Sequence, residues 1–278
     1  MAGTLYIVAT PIGNLEDITL RALRILKECD AIACEDTRQT RKLLDHYGIA
    51  KPAISYHEHN ERERAAELAG KMAGGESIAL VTDAGTPLVS DPGYRLVQAA
   101  IEHGVTVVPI PGPSAAIGAL SASGLATDSF RFCGFLPPKS SQRRKVLEDS
   151  KHESGTLIFY ETPHRILEAL EDIRAVMPGR PVVVARELTK MHEEFLRGTA
   201  AEIHARLAAR PAVKGEITLL IGKGDAPEAD TGVPVEAAVL VLEKQGLPRM
   251  DAIKQVAKER GLNKRDVYRL MTEAPKHK

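Results

Sequence analysis

The chain has 278 residues, 44% of them hydrophobic, and its 37 basic and 37 acidic residues leave no net charge. That length holds two α/β domains, or one large domain with an appendage, and the apolar fraction supplies a sizeable core. Aromatic residues make up 4% and tryptophan is absent, which argues against a base-stacking sheet of the RRM kind.

The amino terminus runs directly into a strand-like segment, Leu5–Ala9, without a basic lead-in and an apolar signal segment. No apolar run approaches the roughly 20 residues of a membrane helix. The three cysteines, Cys29, Cys34 and Cys133, are scattered and form no C-x-x-C, so neither a zinc site nor a disulfide framework is indicated. A soluble cytoplasmic protein is expected.

Further strands are predicted at Ala31–Cys34, Ile78–Thr82, Val105–Ile110, Phe130–Gly134, Thr156–Tyr160, Val182–Arg186 and Ile217–Ile221. Helical periodicity falls between most of them, at Asp17–Lys27, Arg38–Tyr47, Arg62–Met72, Tyr94–Glu102, Pro163–Val176 and Ala200–Ala208. Such alternation predicts parallel sheet units with crossover helices. A run of Gly, Pro and small residues from Gly112 to Asp128 places a boundary between two α/β domains, 1–113 and 114–224. An acidic Gly- and Pro-containing stretch, 225–234, reads as a linker.

Residues 235–274 are helical in pattern, within a C-terminal unit of residues 235–278. Gly246 and Gly261 stand at helix ends, and Asn263 stands at the start of the last helix. From Lys244 onward ten basic residues face four acidic ones, so this end is +6 and the remainder −6. A basic unit resembling a helix-turn-helix, with Lys264, Arg265 and Arg269 on its last helix, suggests a nucleic-acid partner. A solvated three-helix surface gives the same pattern.

The chemistry-bearing residues gather at predicted strand tips, where open α/β sheets bind ligands. Thr82-Asp83-Ala84-Gly85-Thr86-Pro87 follows the Ile78 strand and runs on to Ser90-Asp91-Pro92-Gly93. An acid, a Gly and two Pro suit a stiff loop lying against a small ligand; without Lys it is no phosphate-binding P-loop. After the first strand, Pro11 stiffens the turn, Gly13 permits close approach and Asn14 offers hydrogen bonds, but no G-x-G-x-x-G is present. Glu35 and Asp36, with Arg38 beyond, can orient a hydroxyl or remove its proton, or Asp36 can simply cap a helix. His57 and His59 would share a strand face, too few ligands for a metal centre. In the second half Glu161, Arg165, Glu187 and Lys190 again lie at strand tips, where pairing among them would be structural. Pro137 to Lys145, with Arg143 and Arg144, reads as a basic loop able to touch a phosphate backbone, or as a solvated loop and helix start.

Seven segments in this order resemble one family: Thr10–Leu15, Glu35–Arg38, Asp83–Gly93, Pro111–Ala115, Glu161–Arg165, Arg186–Lys190 and Lys214–Glu216. The chain is similar to the small-subunit ribosomal RNA methyltransferase I family, within the tetrapyrrole methylase superfamily. Where many superfamily members carry Gly-Asp-Pro at a strand tip, this chain has Thr82-Asp83-Ala84. The resemblance implies two α/β domains with S-adenosylmethionine in the cleft between them, and a homodimer. It implies methylation of the ribose 2′-hydroxyl of a cytidine in the decoding region (P site) of 16S rRNA on the 30S subunit, with no metal needed. By position, Pro11, Ile12, Asp83, Ala84, Gly85, Thr86, Pro87, Ser114, Ala115 and Gly215 would line the cofactor site. Candidates for the group that activates the hydroxyl are Glu35, Asp36, Asp91, Glu187 and Lys190; Lys190 would have to be neutral to act as a base. Arg38, Arg143, Arg144 and the basic final helix would meet RNA. A ligand-sensing nucleic-acid-binding regulator and a porphyrin methylase are the rival readings.

Overall fold

The computed structural model describes residues 2–224, 233–260 and 262–273. Most of the predicted linker and the helix end at Gly261 lie outside the described residues. The first sheet comprises β1 (Thr4–Val8), β2 (Ala31–Cys34), β3 (Ala53–Ser55), β4 (Ile78–Leu80) and β5 (Thr106–Ile110), in the order β3-β2-β4-β1-β5. Every pairing in it is parallel. Helices α1 (Leu20–Glu28) and α2 (Thr37–His46) cover one face through Ile25, Leu26 and Leu44. The other face is covered by α3 (Glu61–Ala73) and α4 (Tyr94–Glu102), through Leu68, Met72 and Leu96. Burial on both faces explains why β2 and β4 read as unbroken apolar runs rather than alternating ones.

The second sheet comprises β6 (Phe130–Phe135), β7 (Thr156–Glu161), β8 (Pro181–Arg186), β9 (Glu194–Thr199) and β10 (Ile217–Ile221), in the order β6-β7-β10-β8-β9. Only β6 and β7 pair in parallel; the other three pairings are antiparallel, so the expectation of parallel units holds for the first sheet and fails for the second. The reason is the short link from β8 to β9, which leaves no crossover helix and forces a return in the opposite direction. One face packs on α5 (Ala115–Ser123), the other on α6 (Ser140–Asp149), α7 (Ile166–Val176) and α8 (Ala200–Ala208).

Two strands were not foreseen. β3 is a three-residue edge, and β9 is an edge carrying Arg197 and Gly198, which dilute any apolar alternation. The basic stretch from Pro137 to Lys145 is not a loop beyond Lys139: it enters α6 at Ser140. That corrects the assignment of Arg143 to an RNA surface. Helical spacing sets Arg143 on the same face as Leu147, and Arg143 is 1% exposed. Its Nε donates to Asp172 on α7 at 2.6 Å, and Arg144 Nε donates to the other carboxylate oxygen at 2.6 Å. Ser140 donates to the same carboxylate at 2.9 Å.

The last three helices, α9 (Val235–Lys244), α10 (Arg249–Glu259) and α11 (Lys264–Glu273), enclose a small core of their own around Val239, Ile253, Val256 and Val267. Gly246 takes φ +96° just past α9, as a helix-ending residue does. Asn263 Oδ1 accepts from the Arg265 backbone N–H at 3.0 Å, the expected cap. No helix among the described residues is long and apolar enough to cross a membrane.

Burial alone would raise the Asp172 carboxyl, but hydrogen bonds from Arg144, Arg143 and Ser140 outweigh it and hold the pKa below the usual carboxylate value. Asp172→Ala is expected to destabilise the fold by about 3–5 kcal/mol in denaturant titration, because it strands a buried guanidinium. The wild-type contribution is present above the ordinary carboxylate range and is lost as pH falls through the lowered pKa, so the gap between the two proteins narrows in acid.

Candidate active site

Three loops at the carboxyl ends of β1, β4 and β5 are stapled into one floor. The Thr10 N–H donates to the Gly85 carbonyl at 2.8 Å, and the Gly85 N–H donates back to Thr10 at 3.0 Å. The Thr10 hydroxyl donates to the Thr82 carbonyl at 2.9 Å, and the Thr86 hydroxyl to the Pro113 carbonyl at 3.1 Å. Gly85 sits at φ +91°, which a side chain would resist, so bare backbone faces the space above. Leu88 and Ser90 also have positive φ, 72° and 67°, although neither is glycine. Such backbone persists only where its surroundings hold it, and the segment it turns brings Asp91 into the lining of the space above the floor.

The opposite wall comes from the second sheet: Tyr160, Glu161, Thr162 and Pro163 at the end of β7, Ala185 and Leu188 at the end of β8, and Glu216 to Thr218 at the start of β10. Between floor and wall lies a cleft of about 340 Å³, within the range of small-molecule sites. Ile12, Asp83, Ala84, Gly85, Thr86, Ser114 and Ala115 line it, together with Asp91. Pro11 and Pro87 are buried behind the lining. Gly215 does not line it either: at φ +90° it leaves room for Glu187, whose Cδ a Cβ there would approach to 2.4 Å.

The cleft is acidic. Burial raises the pKa of Asp83, and the nearby charge of Asp36 adds to the rise. Burial likewise raises Asp91, with Glu35 and Asp83 pushing in the same direction. No basic side chain is among the groups acting on either carboxyl.

The remaining candidates lie outside the cleft. Glu35, Asp36 and Arg38 line a shallower depression with His57 and His59, and the Asp36 N–H reaches Asp83 at 3.4 Å, so the two spaces adjoin. Asp36 caps α2 by accepting from the Arg38 N–H at 2.8 Å, and it also holds the Arg38 guanidinium at 2.9 Å. The hydrogen bonds from Arg38 pull its pKa down to about 2, which makes it a poor proton acceptor. Among the described residues no group of three or more His, Cys, Asp or Glu side chains is placed to hold a metal.

Glu187 and Lys190 join the two halves at the rim. Lys190 Nζ lies 2.9 Å from Glu187 and 3.0 Å from Glu216, and its stem lies over Gly13, where a Cβ would fall 2.3 Å from Lys190 Cγ. Burial alone would lower the Lys190 pKa, but the two carboxylates outweigh it and raise it. Lys190 is therefore charged, which removes it as a base; Glu187, held by Lys190, has its carboxyl below the usual range. On α11, Lys264, Arg265 and Arg269 are exposed while Val267 turns inward.

Phe135 and Tyr160 also line the cleft, and sequence reasoning singled out neither ring. The available signal was Gly134, since a glycine inside a strand pattern often marks a bulge that re-aims its neighbours.

The chain matches the model of the Tetrapyrrole (Corrin/Porphyrin) Methylases over residues 4–204. It is 50% identical to a ribosomal RNA small subunit methyltransferase I from Halalkalibacterium halodurans, covering 96% of this chain and 94% of that one. It is 47% identical to the enzyme of the same name from Pseudomonas aeruginosa, covering 96% of each. Among solved structures it resembles a diphthine synthase with TM-score 0.61 and 16% identity, over 79% of this chain and 90% of that one. It also resembles a uroporphyrin-III C-methyltransferase from Thermus thermophilus, complexed with S-adenyl homocysteine, with TM-score 0.54 and 20% identity over 79% and 97%. Two cleft-forming sheets, an acid-bearing floor and near-full-length relatives agree: the chain belongs to the tetrapyrrole methylase family and, within it, to the ribosomal RNA small subunit methyltransferase I group.

Proposed function

We propose that this protein is an S-adenosylmethionine-dependent methyltransferase that modifies the ribose 2′-hydroxyl of a cytidine in the decoding region of 16S rRNA, within the small ribosomal subunit. The observation that carries the reading is the acidic floor of the cleft, where Asp83 lies beside the charge of Asp36, Asp91 feels Glu35 and Asp83, and no basic side chain acts on either carboxyl. A positively charged group bound at Asp83 relieves the repulsion there. S-adenosylmethionine fits the cleft on chemical grounds: Asp83 answers a cationic or hydroxyl group, the bare Gly85 backbone admits close approach, and Ile12, Val89 and Leu188 are apolar. When bound, it supplies an electrophilic methyl group on a sulfonium.

The chain's own residues account for the other half of the reaction. A ribose hydroxyl is a weak nucleophile until it loses its proton. Asp91 is the one candidate base that lines the cleft, and its raised pKa makes it a stronger proton acceptor than Asp36 or Glu187. Asp91 takes the hydroxyl proton, while the Lys190 bridge between Gly13 and the two glutamates holds floor and wall at a set separation. We take residues 235–278 as a separate unit whose basic α11 binds the RNA backbone, and we include a homodimer and a cytoplasmic location in this reading.

Asp83→Ala is expected to weaken S-adenosylmethionine binding about tenfold to a hundredfold by calorimetry, the loss of one charged partner; unchanged affinity removes Asp83 from the site. Asp91→Asn should bind the cofactor within a few-fold of wild type yet lower single-turnover methyl transfer by about 10²–10⁴. Because the base works deprotonated, wild-type kcat/KM should fall as pH drops through the raised Asp91 pKa, and the variant should lose that dependence. Truncation after Ala229 should spare cofactor affinity and cripple methylation of small subunits; loss of cofactor binding would contradict the separate-unit reading.

A further inference from the structure

β6 and β7 pair in register from Phe130 with Thr156 to Phe132 with Ile158, then slip, and resume at Phe135 with Tyr160. Three steps along β6 thus match two along β7: one extra residue, a bulge. In an unbroken strand Phe132 and Phe135 would point to opposite faces. The extra residue turns both to one face, where both meet the Tyr160 ring edge-on, with centroids 4.9 Å and 5.7 Å away. Gly134, at φ +67°, absorbs the distortion, and a Cβ there would sit 3.6 Å from the Ser90 hydroxyl, so the bulge abuts the loop that carries Asp91.

Phe135 is 52% exposed, an unusual state for a large apolar ring whose next neighbour, Leu136, is fully in the core. Tyr94, Phe130 and Tyr268 are exposed too, but only Phe135 among these rings lines the cleft. A bulge that brings an aromatic face to the mouth of a cleft, beside an acid, presents a flat surface to something planar. RNA-recognising proteins engage single-stranded nucleotides whose unstacked bases are held on aromatic rings.

We propose that Phe135 is the stacking platform for the base of the target nucleotide, placing its ribose hydroxyl at Asp91. This rests on the RNA-methyltransferase reading above. The base so held is a single unstacked one rather than a paired one, since the ring offers a face and no edge for hydrogen bonds.

The test compares wild type with Phe135→Ala, Phe135→Leu and Phe135→Tyr in methyl transfer to 30S subunits from cells lacking this modification. The Ala and Leu variants should raise KM for subunits about 10- to 100-fold with kcat nearly unchanged, as loss of one stacked base requires. The Tyr variant should restore KM, and S-adenosylmethionine affinity by calorimetry should be the same in all four. Three results overturn the proposal: an Ala variant with wild-type KM, a Leu variant as good as wild type, or a loss of cofactor affinity, which would assign the ring to the cofactor. An active wild type with an indifferent Ala variant overturns the stacking role alone. A wild type inert on subunits, with cofactor binding intact, overturns the ribosomal reading and the stacking role with it.

Discussion

The two hydrogen bonds between Thr10 and Gly85 tie the loops after β1 and β4 back to back, and the cleft depends on them. Because β1 and β4 are adjacent parallel strands, their carboxyl ends emerge side by side, and the bridge converts two separate loops into one floor. The bond from Thr86 to Pro113 brings the loop after β5 into the same surface. Gly85 is needed at the crossing, since its positive φ turns backbone rather than side chain toward the ligand. With the floor held, the strained residues Leu88 and Ser90 have surroundings that keep them in place and bring Asp91 into the cleft lining.

The charges divide along the same line. On the cleft floor Asp83 and Asp91 have no basic partner and their pKa values rise. Asp36 and Glu187, outside the cleft, are held by Arg38 and Lys190 and their pKa values fall, while Glu161 and Glu216 on the wall are paired with Arg165 and Lys190. Asp36 is spent on capping α2 and holding Arg38, and Glu187 on holding Lys190. Carboxylates tied to a cation are structural and carboxyls without one are available for a cationic ligand, which separates Asp83 and Asp91 from Asp36 and Glu187. Lys190 illustrates the difference: a lysine beside two carboxylates is a fixed charge, and its stem packed over Gly13 makes it a strut between the halves.

Much of this was legible in the linear chain because strand tips are marked by local chemistry. The apolar runs β2, β4 and β10 and the motifs that follow β1, β4 and β5 need only neighbours in sequence to be recognised. Edge strands β3 and β9 were not legible, since an edge buries little and carries weak patterning. The direction of the second sheet's strands was not legible either, because it depends on connection length and packing rather than on apolar content. Arg143 misled for a related reason: three basic residues in a row look exposed until helical spacing and Asp172 on α7 turn one of them inward.

By itself the sequence determined the alternation of strands and helices, the carboxyl-end loops with their acids and glycines, the basic helical end and the family likeness, all consequences of short-range pattern. Only the tertiary structure decided which acids keep their charge partners and which face the cleft, because burial and ion pairing are set by residues as far apart as Glu35 and Asp91, or Lys190 and Gly13. It alone decided that Gly215 accommodates Glu187 and that a bulge at Gly134 swings Phe135 to the cleft mouth. Those outcomes are fixed where two sheets meet, and no local stretch of chain contains both sides of that meeting.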